Sequence, residues 1–379
     1  MSRKVRYAVM GLGHLTQTAI LPAFANASKN SVLTALIGHS GKRHVVDELG
    51  KYYGLDHLYT DDEMDRAFRE DTFDALYIVL PNHLHKKYCI MAAECGIHVL
   101  CEKPLGLDQE ECLQMIAACE RNKVKLMTAY RLHFEATNMQ VVHDIGLGKI
   151  GTPRLFTANL SQILVEGNYR GDRTRGGGPL LDIGIYCINA ARYIFKSEPK
   201  MVTALAVSAE ATEPRVASNA ESNIDQSVAA VMEFDGGGLA TFNTSFGASR
   251  ENWYQVVGTE GSIKVDPAFD YACQLSSTLK MNNGDVKTTN TPLQDHFAPE
   301  LIHFSDCIIN DTRPGPDGHE GLADAIIIDA INESLRTRKA VRLPEIVSVT
   351  PDPGPDLVIQ RPASDTDQIP LIDIKAGST

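Results

Sequence analysis

No apolar run in this chain of 379 residues approaches the roughly 18 residues needed to span a bilayer. The opening "MSRKVRYAVMGLG" turns glycine-rich too early to form a signal peptide's apolar region, so a cytoplasmic protein is expected. Positive charge is in the minority: 36 Lys and Arg stand against 48 Asp and Glu, a formal charge of −12. Such a surface repels phosphate backbones and anionic lipid, and neither nucleic acid nor a membrane is expected as a partner. The eight cysteines are scattered without a CxxC pair, and Cys89, Cys95, Cys101, Cys112 and Cys119 fall inside expected helices and strands. That pattern suits neither a disulfide framework nor a zinc site, and no metal is expected. What remains is an ordinary globular composition, 43% hydrophobic and 22% charged. At about 150 residues per domain the length calls for two or three units, and two are expected.

Through residue 128, β-branched apolar runs ("VRYAVMGLG", "VLTALIG", "ALYIVLP", "IHVLCEK", "VKLMTAY") alternate with stretches of helical period. The alternation predicts an α/β fold whose first domain, residues 1–128, is a doubly wound parallel sheet. Over 129–344 the rhythm changes to strand runs such as "GTPRLFTANLSQILV", "MVTALAVSAEA", "SVAAVMEFDGGGLATFNTSFG" and "SIKVDP". Turns like "FDGGG" and "NNGD" join them, which predicts an open, mainly antiparallel sheet. Helices are expected near 179–195, 296–310 and 319–337. The Pro- and Asp-rich tail, 345–379, cannot form a core alone and is expected to lie against the body or a neighbouring subunit.

"GLGHLT", residues 11–16, follows a strand and opens a helix, the context that a dinucleotide fingerprint requires. Gly11 permits the tight turn, and Gly13 lets backbone amides approach a pyrophosphate, with His14 and Leu15 beginning the helix. Thr16 stands where a third glycine is usual; a plain strand–helix turn would also need the glycines. About 20 residues on, where an acid would hold an adenosine ribose, "ALIGHSGKR" has none. Ser40, Lys42 and Arg43 instead suit a 2′-phosphate, so NADP is expected over NAD, unless these are ordinary surface charges. In "LPNHLH", Pro81, Asn82 and His85 end a strand at the sheet edge where ligands bind, although Asn82 could equally cap the next helix. "HVLCEKPLG" ends another strand there: Pro104 biases Lys103 toward an extended backbone, aiming its amine into the crevice with Glu102 as a partner. In "GGGPLLDIGIYCINAARYIF", Asp182 and Tyr186 lie four apart on one helix face with Asn189 beyond. Singly, a first-turn acid or a helical tyrosine has a bland explanation in the helix dipole or in packing.

Together, and in order, "GLGHLT", "LPNHLH", "HVLCEKP", "TAYRLHFEATN" and "GGGPLLDIGIYCINAARYIFKSEP" resemble the Gfo/Idh/MocA oxidoreductases over roughly residues 5–345. Tyr186, where most relatives carry histidine, is similar to the glucose–fructose and aldose–aldose oxidoreductase branch. The resemblance implies a Rossmann domain followed by an α/β domain, and a homodimer or homotetramer made through the outer face of the second sheet. It implies Lys103, Asp182 and Tyr186 as catalytic, and Tyr130, Arg131 and His133 as lining the nicotinamide or sugar region, with Asn189 beside them. Where that branch carries a Trp-Arg pair ahead of the glycines, "NYRGDRTRGGG" offers Tyr169 and Arg170.

The implied chemistry is hydride transfer between C1 of an aldose, glucose- or xylose-like, and a nicotinamide, with a proton exchanged at the C1 hydroxyl. A phenol ordinarily titrates at about 10, and an ammonium within about 4–6 Å favours its phenolate, so Tyr186 with Lys103 suits that exchange. Asp182 would hold the sugar or the lysine. The same groups fit a reductase of a ketosugar or a dihydrodiol. A regulator that senses NADP or sugar without turnover is disfavoured by the intact Lys103, Asp182 and Tyr186 set.

Overall fold

The computed structural model describes residues 3–165, 167–208, 224–347 and 371–374. Its first sheet is built from β1 (Val5–Met10), β2 (Ser31–Gly38), β3 (His57–Thr60), β4 (Ala75–Ile78), β5 (His98–Glu102) and β6 (Leu126–Ala129). All neighbours run parallel in the order β3-β2-β1-β4-β5-β6, so the chain reverses direction across the sheet between β1 and β4. A crevice beyond the strand ends is built at such a reversal. The strands are apolar on both faces because helices cover both. On one side lie α1 (Leu21–Asn26) and α2 (Arg43–Tyr53). On the other lie α3 (Met64–Arg69), α4 (His85–Glu94) and α5 (Gln109–Arg121).

After α6 (Ala136–Gly146) and β7 (Pro153–Ile163) come α7 (Ile185–Phe195), β8 (Pro199–Ser208), β9 (Asp225–Phe234), β10 (Leu239–Ser245), β11 (Gly247–Gly258), β12 (Gly261–Val265), β13 (Leu275–Met281) and β14 (Val286–Thr291). The chain then forms α8 (Phe297–Ile309), α9 (Gly318–Thr337) and β15 (Val341–Arg342). The second sheet runs β14-β13-β12-β11-β7-β10-β9-β8-β15, antiparallel except where β10 lies parallel to β7. Period-two burial marks its faces. Ala240, Phe242, Val228, Ala230, Val202 and Ala204 point into the core under α7 and α9, while Leu205, Val207, Leu239, Leu155 and Val257 point outward and exposed.

The two C-terminal helices do not stay with the second sheet. Phe297, Leu301 and Phe304 of α8 sit in one core with Tyr7, Val9 and Leu36 of the first sheet. At its N-terminus α9 presses Gly318 against Leu126 and Ile116, and further along Ile327 and Ile331 enter the second core. A Cβ on Gly318 would come within 2.8 Å of both Ile116 and Leu126, so glycine permits this close joint. Helix α9 thereby pins the two sheets against each other and fixes the crevice between them.

Several elements differ from expectation. The helix after the glycine loop begins at His14 and carries a π-turn over Thr16–Ile20 before α1, and the expected 179–195 helix likewise opens with a π-turn, Leu180–Gly184. Strand β3 and helix α3 were not foreseen, because four residues at a sheet edge carry too little pattern. Of the tail, only 345–347 and 371–374 are described; the rest, like the end of the "MVTALAVSAEA" run, lies outside the described residues.

Candidate active site

The candidate groups come from loops at the carboxyl ends of the parallel strands and from the second domain. After β1, Gly11 takes φ 97, and a Cβ there would lie 2.1 Å from the Val79 carbonyl oxygen, so only glycine fits. A Cβ on Gly13 would meet nothing within 4 Å; that open approach beside a helix start suits a pyrophosphate. Thr16 occupies the third-glycine position without strain because its wholly buried hydroxyl bonds the Gly11 carbonyl at 2.6 Å. The Nδ1 of His14 is buried with no hydrogen-bond partner among the described residues, and burial and the Arg170 charge hold its pKa below the ordinary value. An orphaned ring nitrogen beside a cation and an open glycine fits the phosphates of a dinucleotide. Leu15 packs against the first core instead.

After β5, Lys103 reaches across to the second half of the molecule. Its Nζ donates to the Asp182 backbone oxygen at 2.7 Å, lies 3.8 Å from Asp182 Oδ1, and stands 4.5 Å from the centroid of the Tyr186 ring. Burial pulls the ammonium's pKa down, but Tyr186, Asp182 and Glu102 outweigh it and raise the value above that of an ordinary lysine. The amine is therefore charged and mostly enclosed, 12% exposed. Arg170 Nε lies 3.0 Å from Asp182 Oδ2 as an ion pair not aligned for a hydrogen bond, and its guanidinium covers the Tyr169 ring at 5.0 Å. Burial would raise the Asp182 pKa, yet Arg170 and Lys103 hold it below the usual carboxylate range.

The glycine run explains how these groups meet. A Cβ on Gly177 would strike the Arg170 carbonyl oxygen at 2.3 Å, so glycine lets the loop fold under Arg170 before the π-turn that carries Asp182. From the other side, Arg131 packs its guanidinium over both Tyr186 (5.2 Å) and Tyr271 (5.3 Å). It is anchored by the Phe269 carbonyl and by His296 Nδ1 at 3.2 Å. The Glu102 carboxylate, pushed up by burial, accepts the Lys103 backbone N–H at 3.3 Å and the Tyr77 hydroxyl at 3.0 Å rather than the lysine's ammonium. Beyond Tyr77 lies wholly buried Glu300 at 3.1 Å, pushed well up by burial and by the Glu102 charge.

Several expected site residues have other employment. His85 does not face the crevice: it is fully buried, with Nδ1 2.8 Å from the Pro104 oxygen and Nε2 2.8 Å from the Leu80 oxygen, so whichever nitrogen carries the proton of the neutral ring donates to one of these carbonyls. Asn82, just after Pro81, does not cap α4; its amide donates to the Gly176 oxygen at 2.7 Å and ties the two halves together. Tyr130, His133 and Asn189 enter a buried network rather than an open pocket. Tyr130 donates to Asp324 at 2.5 Å, while Asn189 accepts within 3.0 Å of His133 Nε2 and donates to Glu320 and Asp324. Buried Arg192 supplies the countercharge to both acids. At the tip of β2, the Ser40 amide bonds Asp61 at 2.7 Å; Arg43 pairs with Asp47 and Glu63, and Lys42 with Asp373 at 2.9 Å.

The residues sequence reasoning missed are Tyr271, Phe269, His296, Tyr77 and Glu300. Tyr271 lies in an irregular loop without motif or period. Glu300 left a readable trace, a lone acid in the apolar run "FAPELIHF".

Comparison with known proteins identifies the family. Residues 5–130 match an oxidoreductase family with an NAD-binding Rossmann fold, and 140–264 match the GFO/IDH/MocA C-terminal domain. The chain is 31% identical over 349 residues to a D-xylose 1-dehydrogenase [NADP(+)] of Haloarcula marismortui, covering 89% of this chain and 93% of that one. It is 29% identical over 342 residues to D-xylose 1-dehydrogenase (NADP(+)) 2 of Haloferax volcanii, covering 89% and 99%. The crystal structure of an aldose-aldose oxidoreductase from Caulobacter crescentus, complexed with glycerol, superposes with a TM-score of 0.83 at 32% identity, covering 90% of this chain and 100% of that one. The two family matches and the identity that extends over 89% of the chain place the parallel sheet and its glycine loop in one lineage: this chain belongs to the Gfo/Idh/MocA family of oxidoreductases.

Proposed function

We propose that the chain is an NADP-dependent sugar oxidoreductase that works at C1 of an aldose, with Tyr186 as acid and base, Lys103 as its electrostatic partner and Asp182 as the group that fixes both. The observation that carries this is the Lys103 ammonium 4.5 Å from the Tyr186 ring centroid, brought together from opposite halves of the molecule. NADP as cofactor is supported by the names of the two xylose dehydrogenase relatives and by the solvent-facing Lys42 at the tip of β2. Gly11, Gly13, His14 and Arg170 would hold its phosphates, and Lys42 the 2′-phosphate; once bound, it supplies the acceptor or donor of hydride.

The protein's own part is proton handling and geometry. In the oxidative direction the Tyr186 oxygen takes the C1 hydroxyl proton, and in the reductive direction it returns one. Lys103 at 4.5 Å and Arg131 at 5.2 Å from the ring centroid place two cations close to the ring that carries that oxygen. Asp182, locked between Arg170 and Lys103, keeps both cations in place and offers its remaining acceptor capacity to a sugar hydroxyl. An aldose or its lactone is favoured as substrate by the likeness to sugar dehydrogenases over most of the chain.

The uncovered outer face of the second sheet, with Leu155, Leu239 and Val257 side by side across three strands, is the surface through which we expect copies to associate as a dimer or tetramer. Sedimentation gives the state directly. The function is tested by following reduced-nicotinamide absorbance with NADP and a panel of pentoses and hexoses. Binding of NADP without turnover of any of them refutes the sugar dehydrogenase assignment.

A further inference from the structure

The C-terminal segment does something the dinucleotide fold does not require. Residues 371–374 return to the first sheet and are seated there by three separate contacts. Ile372 is 9% exposed and joins the apolar core that also includes Leu12 and Leu15. Wholly buried Gln17 accepts the Ile372 N–H at 2.9 Å and donates to the Ile372 oxygen at 3.0 Å, a two-point clamp like one rung of a sheet. The same Gln17 amide nitrogen also donates to the Leu12 carbonyl at 2.8 Å, so the returning chain is tied to the glycine loop itself. Asp373 then turns through φ 53, a left-handed conformation that Asp tolerates, and its carboxylate meets Lys42 Nζ at 2.9 Å with His44 Nε2 at 3.8 Å.

We propose that Asp373 is a cofactor-specificity residue: held at the tip of β2 by the Gln17 clamp, its carboxylate competes with the 2′-phosphate of NADP for Lys42. The proposal rests on the assignment of Lys42 to that phosphate. Lys42 is the cation free to change partner, because Arg43 is already held by Asp47 at 2.8 Å and Glu63 at 3.0 Å. The Lys42–Asp373 pair is solvent-facing, 55% and 42% exposed, so it is weak, screened by salt, and displaced by a doubly charged phosphate. NAD, lacking the phosphate, has no quarrel with the carboxylate. The C-terminus therefore narrows the margin by which the protein prefers NADP, a setting made by a residue more than 300 positions away from the β2 tip in sequence.

The test is calorimetric titration of the full-length chain with NADPH and with NADH, in the absence of sugar. D373N is expected to tighten NADPH by about two- to five-fold, the range a single exposed ion pair contributes. NADH binding stays the same, and D373E restores the original NADPH affinity. K42A is expected to weaken NADPH relative to NADH, and the double variant D373N/K42A to bind NADPH no more tightly than K42A alone. If K42A weakens NADPH but D373N leaves it unchanged, Asp373 is only an anchor and the proposal is overturned while the phosphate assignment stands. If K42A leaves the NADPH to NADH ratio unaltered, the assignment of Lys42 itself fails and takes the proposal with it.

Discussion

The Nζ of Lys103 lies 4.5 Å from the centroid of the Tyr186 ring, and it is held there by a 2.7 Å bond to the backbone oxygen of Asp182, the residue one helical turn earlier. The lysine comes from the end of a parallel strand and the tyrosine from the helix under the antiparallel sheet. Their meeting depends on the joint between the sheets. If Tyr186 exchanges the proton, Tyr186→Phe keeps the ring and its two cations but removes the oxygen. We expect kcat to fall by about 10²–10⁴ with NADPH affinity unchanged. Steady-state kinetics with calorimetric NADPH binding decides it; undiminished turnover removes Tyr186 from the mechanism.

Asp182 helps to hold the charge on its neighbour. Burial lowers the Lys103 pKa, and Tyr186, Asp182 and Glu102 more than reverse that. Taking away the Asp182 carboxylate removes one of the negative charges that raise the lysine, so in Asp182→Asn the ammonium loses its proton at lower pH. The alkaline limb of kcat/KM should therefore move toward neutrality, and activity should fall at every pH because Arg170 loses its ion pair as well. A pH–rate profile whose alkaline limb stays put would show that Lys103 does not govern it.

Two neighbouring glycines should respond oppositely to one methyl group. Gly11→Ala drives a Cβ to 2.1 Å from a backbone oxygen at φ 97, so it should lower the melting temperature. Gly13→Ala meets nothing within 4 Å and should leave melting unchanged, yet its methyl fills the approach assigned to the pyrophosphate. Loss of NADPH binding without loss of stability is the expected signature, read by thermal melting and titration. Undisturbed NADPH binding in Gly13→Ala would move the phosphates elsewhere.

What could be read from the sequence was whatever leaves a local mark. Gly11, Lys103, Asp182 and Tyr186 stand at strand ends or helix starts in short motifs, and the parallel sheet announced itself through runs such as "ALYI" that are buried on every residue. His85, Tyr130, His133 and Asn189 were legible as polar residues in suggestive places, but their partners were not. Asn189 finds Asp324, 135 residues away, and His85 finds the Pro104 carbonyl across a neighbouring strand. A polar side chain beside a crevice and one buried behind it read alike until distant chain supplies the hydrogen bonds. The role of Lys42 was similarly half visible, since its partner Asp373 arrives from the far end of the chain.

His85 also gives the protein a pH dependence of stability. Burial holds its pKa below that of an exposed histidine, and burial does the same to His14, His98, His296 and His303. In the unfolded chain each would take up a proton near pH 6.5. The unfolded state thus binds more protons below that point, so stability is full above it and is lost as the pH falls toward the folded value. Buried acids with raised values oppose this: Asp324, pushed up by burial to about 6, holds its proton in the folded state where the unfolded chain has released it. The difference between variants therefore isolates the histidine better than the raw slope. His85→Gln should cost about 1–3 kcal/mol at pH 8, where a buried carbonyl loses its partner. It should lose less additional stability than the parent between pH 7 and 5.5. Urea unfolding across that range provides the comparison, and parallel curves for the two proteins would show that His85 takes up its proton equally in the folded and unfolded states.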